Sequence, residues 1–94
     1  MSPVQTLTKI IEVRAHDNAP VMTVVFADGA WGDHDLHYLM ERGGGMIDPL
    51  REPAFFRRVF LEAGAPTWPN GFDLAPEAIR RRLKAQGKLH APAA

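Results

Sequence analysis

Ninety-four residues carry eleven basic and eleven acidic side chains, zero formal net charge, and no cysteine. That length suits one domain with a hydrophobic core of its own. The missing thiols exclude disulfides, zinc–thiolate sites, iron–sulfur clusters and cysteine nucleophiles, and suit a cytoplasmic protein.

The N-terminus has no basic patch followed by an apolar stretch, so residues 1–6 are read as a frayed end and not as a secretory signal. Residues 7–14 are rich in β-branched side chains and predict a half-buried strand, with Ile11 and Val13 on one face and Glu12 and Arg14 on the other. A turn at 16–20 leads to Val21–Ala27, apolar on both faces, as in a central strand covered on both sides. This run is far short of the ~20 residues that cross a bilayer. Asp28-Gly29 supplies the positive φ angles of a tight hairpin turn into a third strand near 30–34. Asp35 then reads as the N-cap of a short helix carrying Leu36, Leu39 and Met40, stopped by Gly43-Gly44-Gly45.

Residues 46–57 are expected to be irregular around Pro49 and Pro53, with one helical turn carrying Phe55 and Phe56. Arg58–Glu62 and Ala65–Trp68 predict a fourth and a fifth strand, and Pro69-Asn70-Gly71 a turn. The last helix starts at Pro76-Glu77 and stops at Gly87. Residues 88–94 are expected to be an unanchored, flexible tail. The fold class is therefore α+β: an antiparallel sheet of about five strands, ordered β-β-β-α-β-β-α, in a single domain over 7–87.

Trp68-Pro69-Asn70-Gly71-Phe72-Asp73-Leu74-Ala75-Pro76-Glu77 resembles the signature of the small, uncharacterised bacterial domain-of-unknown-function family 2442. Phe26, Asp28 and Gly29, then Asp35-Leu36, then Leu50, Pro53 and Phe56 match its weaker motifs. The likeness covers roughly residues 7–83. Resemblance implies no catalytic residues. It implies a stand-alone protein or one fused ahead of a helix-turn-helix domain, some members being encoded beside a second small protein in toxin–antitoxin-like pairs. With so few residues after Glu77, that DNA reader is not expected here.

Each signature residue also has a structural reason. Trp68 fills a small core, Gly71 takes a positive φ, Asp73 can bond N–H groups ahead of the helix, and Pro76-Glu77 starts it. The alternative is that Trp68, Asn70 and Asp73 line a ligand groove.

Enzyme chemistry lacks its parts. The one serine, Ser2, sits in the frayed segment, and the glycine run is not followed by the Lys-Ser/Thr of a phosphate loop. No cofactor pattern is legible. His34 and His37 are weak candidates for metal ligands with Asp33 and Asp35 nearby, but His34 precedes the helix, which spoils a common face.

Residues 1–54 hold four basic and eight acidic side chains, a formal −4; residues 55–94 hold seven and three, a formal +4. Either two regions complement each other in one fold, the plainer reading, or the basic end meets an anionic partner. Arg80, Arg81, Arg82 and Lys84 fan around an apolar stripe of Ile79 and Leu83, and Glu77 can pair with Arg81. The leading expectation is a non-catalytic interaction or regulatory module, with another small protein encoded nearby as partner and a homodimer possible. The alternative is nucleic-acid binding by this Arg-rich helix, which zero net charge and the lack of interleaved aromatics weigh against. No membrane role is legible.

Overall fold

A computed structural model describes residues 8–92. The expected frayed segment 1–6, with Ser2, and Leu7 at the expected strand start lie outside them. Among these residues, five strands and three α-helices follow in order: β1 (Ile10–Ala15), β2 (Val21–Phe26), β3 (Trp31–Asp35), α1 (His37–Arg42), α2 (Pro53–Phe56), β4 (Phe60–Glu62), β5 (Ala65–Thr67) and α3 (Pro76–Ala85). All strand pairs are antiparallel. They form two sheets, β1-β2-β3 and β4-β5, where the sequence predicts one sheet. The two meet at one backbone bond, from Ile10 N–H to the Gly64 carbonyl at 3.1 Å. Strands of three residues, one of them carrying Pro66 with no N–H to donate, cannot extend that contact into a ladder.

β2 is central, as its composition requires, but it is fully covered on one side only. Met22, Val24 and Phe26 are buried, while Val21, Thr23 and Val25 are half-buried. In β1 the expected facing is corrected. A β-bulge between Ile10 and Glu12 turns Ile10 into the core and leaves Ile11 58% exposed. An inserted residue breaks the period of two, so alternation read from sequence slips by one there.

In the β2–β3 turn only Gly29 has a positive φ, +90°, and Asp28 instead accepts the Ala30 N–H through Oδ1 at 3.1 Å. The N-cap of α1 is Leu36 and not Asp35. Asp35, one residue earlier, still accepts the first helical N–H, that of His37, at 2.9 Å. The stretch expected to be irregular holds a 3-10 helix, Asp48–Arg51, because Pro49 fits the first turn of a helix.

The core joins Ile10, Val24, Phe26, Leu36, Leu39, Leu50, Phe56, Trp68, Ile79 and Leu83. Trp68, fully buried, packs between Phe56 and Phe72, each ring centroid 5.8 Å away. Val59 and Leu61 lie at the edge of this core, only partly buried.

α3 lies on β3 through Ile79 and Leu83, both buried. It ends in a Schellman arrangement: Lys88 N–H reaches the Leu83 carbonyl (2.8 Å) and Gly87 N–H the Lys84 carbonyl (3.1 Å), with Gly87 at φ +69°. The chain then has an anchor that the sequence does not reveal. His90 and Trp31 exchange backbone bonds of 2.8 and 3.0 Å, and their rings stack at 4.3 Å. Residues 88–90, expected to be unanchored, are thus tied to α3 and β3.

Gly32 makes this docking possible. A Cβ there would sit 2.6 Å from the Lys88 carbonyl and 3.0 Å from Leu83 Cδ1. Gly32→Ala must push backbone as well as side chain, and is expected to cost about 1–3 kcal/mol in a urea melt. A melt indistinguishable from wild type would show that the C-terminal segment does not hold this position.

Candidate functional site

The predicted basic surface is divided by the fold. Arg80 leaves it: its guanidinium makes a two-pronged pair with Asp28, Nη2 to Oδ2 at 2.7 Å and Nη1 to Oδ1 at 3.1 Å, and lies 4.9 Å from the Phe26 ring centroid. Both side chains are under a third exposed. Arg80 is the largest influence holding the Asp28 carboxyl below its ordinary pKa, with burial opposing and the Ala30 N–H assisting. Among the described residues this one ion pair joins the acidic and basic parts of the chain. Sequence reading puts Asp28 in a turn and Arg80 on a surface, and has no signal that they meet.

Arg82 turns the other way. Its guanidinium carbon sits 3.5 Å from the centroid of the Tyr38 ring, a cation–π contact between α3 and α1. Its Nε is buried without a hydrogen-bond partner. Tyr38 is held by His34, whose Nε2 lies 3.2 Å from the phenolic oxygen. Burial raises the Tyr38 hydroxyl above its ordinary pKa, while Arg82 and Arg42 pull it down.

Arg81 and Lys84 are exposed, and neither has an ion pair among the described residues. The expected Glu77–Arg81 pair does not form. Between α1 and α3 lies an open groove of about 430 Å³, lined by Leu74, Ala78 and Ile79 together with Tyr38, Arg81 and Arg82. Tyr38 is the residue that sequence analysis misses here. It sits on a different helix, with no spacing that ties it to the arginines.

The two histidines proposed as metal ligands are parted. His34, 1% exposed, points into the core from β3, whereas His37 is exposed and pairs through Nδ1 with Asp35 at 2.6 Å. Burial disfavours the Asp35 charge, but the backbone and ring bonds from His37 outweigh it and hold that carboxyl low. Burial, helped by Arg82 and Lys88 and opposed by Asp35, lowers the His34 pKa to about 4, so the ring is neutral at pH 7. No group of three or more His, Asp or Glu is placed to share a metal ion among the described residues.

A second constellation sits on the outer sheet face, where His16 Nε2 lies 2.8 Å from Thr23 Oγ1, and Thr23 donates to Asp33 Oδ1 at 2.5 Å. The threonine proton goes to the carboxylate, so His16 must donate to Thr23. That is the reverse of a base that activates a hydroxyl nucleophile.

The signature segment serves the fold. Trp68 Nε1 donates to the Phe56 carbonyl at 3.0 Å, and Asn70 bridges Met46 and Phe72 through both ends of its amide. Gly71, at φ +91°, closes the turn by donating to the Trp68 carbonyl at 2.9 Å. Pro69 is exposed at the start of this turn. Pro76 opens α3, and Glu77 sits in its first turn. Asp73 makes no bond to the start of α3. It is exposed and forms a backbone bridge with Thr67 instead.

A family model described as "Protein of unknown function (DUF2442)" matches residues 10–85. No curated protein and no solved structure matches the chain. No helix among the described residues is long and apolar enough to cross a membrane.

Proposed function

The chain belongs to the DUF2442 family of proteins of unknown function, and from that premise we propose that it is a non-catalytic interaction module whose groove between α1 and α3 receives an acidic segment of a partner protein. One observation carries this reading. Arg81 and Arg82 line a largely apolar groove with no acidic side chain paired to either among the described residues. An arginine stacked on an aromatic ring is preorganised to meet a carboxylate, so less freedom is lost on binding. The stack of Arg82 on Tyr38 supplies that preorganisation.

The pairing with a nearby-encoded small protein, in a regulatory or toxin–antitoxin-like arrangement, is the biological setting we propose. The cysteine-free composition suits the cytoplasm for it. Loss of Arg80 to Asp28 shrinks the cationic surface, which favours a local acidic segment over an extended phosphate backbone.

Arg81→Glu, Lys84→Glu is expected to leave the fold intact, since both charges are exposed, and to weaken binding of the purified neighbouring-gene product about tenfold or more. If wild type instead shifts DNA or RNA at micromolar concentration in ~0.15 M salt, and the reversed form does not, nucleic acid replaces protein as the partner. If neither assay responds to the reversal, this surface is not the binding site.

A further inference from the structure

β1 is an outer strand of its sheet, and the bonding pattern shows which of its backbone groups face outward. Ala27 N–H donates to the Lys9 carbonyl at 2.8 Å, and His16 N–H to the Val21 carbonyl at 2.9 Å. These bonds flank the opposed pairs Ile10–Phe26 and Ala15–Met22, which are therefore the non-hydrogen-bonded pairs of the ladder. Val13–Val24 is in the same phase. The N–H and C=O groups of Val13 and Ala15 thus point away from β2, and they have no backbone partner among the described residues. At one end the edge is closed by the bond from Ile10 to Gly64, and at the other by the turn that follows Ala15. What remains without a backbone partner, past the β4–β5 hairpin that touches β1, is the edge at Val13 and Ala15.

We propose that a second copy of this chain pairs with that edge, antiparallel, about a two-fold axis through Val13. The two three-stranded sheets then become one sheet of six strands. The segment is complementary to itself in charge. An axis at Val13 sets Glu12 opposite the second copy's Arg14, and symmetry repeats the pair. Both side chains stand on the outer sheet face, where Glu12 is registered with Val25 and Arg14 with Thr23. Neither has an ion pair among the described residues.

Val13 is the hydrogen-bonded pair at the axis, so Glu12 and Arg14 fall in the neighbouring non-hydrogen-bonded positions, where facing side chains come closest. Moving the axis one residue either way sets Glu12 against itself or Arg14 against itself. An unpaired strand edge is a template for pairing unless something blocks it, and here no proline or inward-pointing charge does.

This interface is separate from the groove between α1 and α3. It is a short strand pair, smaller than the roughly 1,200 Å² of a standard interface, so dissociation in the micromolar range is expected.

Sedimentation equilibrium from ~1 to ~500 μM is the test. Wild type is expected to move from monomer to dimer within that range. Glu12→Arg places like charges opposite each other and is expected to stay monomeric, and the swap Glu12→Arg, Arg14→Glu to restore the dimer. Val13→Pro removes an N–H that faces outward, so it spares the β1–β2 ladder and is also expected to be monomeric. Should that variant fail to fold by circular dichroism, the charge swap decides alone. Arg81→Glu, Lys84→Glu is expected to dimerise as wild type, which separates this proposal from the reading of the groove. A wild type monomeric at ~500 μM overturns it, as does a Glu12→Arg variant that dimerises unchanged. A swap that fails to restore the dimer overturns the Val13 axis.

Discussion

Trp68→Ala is expected to cost about 3–5 kcal/mol, a large part of the stability of a domain this small. Its ring is fully buried between Phe56 and Phe72, so truncation leaves a cavity that two other rings cannot fill without leaving their own contacts. The variant also removes the Trp68 Nε1 bond to the Phe56 carbonyl, which keeps only the longer bond from Val59 N–H at 3.3 Å. Loss of that shorter bond adds a smaller penalty to the cavity. Urea melts of the two proteins decide the matter. A loss under about 1 kcal/mol would mean that the Trp68–Glu77 segment is not a structural device, and it would then have to be reread as a binding surface.

Stability is expected to fall by roughly 3 kcal/mol as pH drops from about 6.5 to about 4, through His34. The unfolded chain takes up a proton on this ring near the ordinary value of 6.5, whereas the folded protein accepts it only near 4. Between those values the unfolded state binds more protons, so acid favours unfolding and stability rises with pH. Burial is the main cause, and the nearby charges of Arg82 and Lys88 add to it while Asp35 opposes them. Asp28 and Asp35, both held below 3.8, contribute stability that is lost only at lower pH, outside this window. His34→Gln removes the titration and is expected to flatten the profile over it, whatever the variant's stability at neutral pH. A wild-type profile already flat between 6.5 and 4 would contradict the neutral, buried imidazole.

The candidate groove was only half legible in the residue string. Ile79 and Leu83, four apart on a helix, mark its buried stripe, and the arginines beside them follow from the same periodicity. Tyr38 does not, because its stack on Arg82 joins two helices separated by a 3-10 turn, the short α2 and two strands. Arg80 shows the converse. Local pattern makes it equivalent to Arg82, yet Asp28, fifty-two residues away, takes it out of the surface.

By itself the sequence determined the α+β class, the existence of five strands, the glycine at the first hairpin, the proline start of α3, and the burial of Val24, Phe26, Trp68 and Ile79. Each of these depends on backbone freedom, or on apolar spacing within a few residues. Only the tertiary structure decided the split into two sheets, the bulge that exposes Ile11, the anchoring of His90 on Trp31, and the burial of His34. Those outcomes are contests between distant segments for the same hydrogen bonds and the same volume. Pro66 cannot donate where β5 would extend the sheet, and Gly32 lets a chain lie where any Cβ would bar it. Such contests are settled by which surfaces meet, and a pattern confined to one stretch of chain does not contain the other surface.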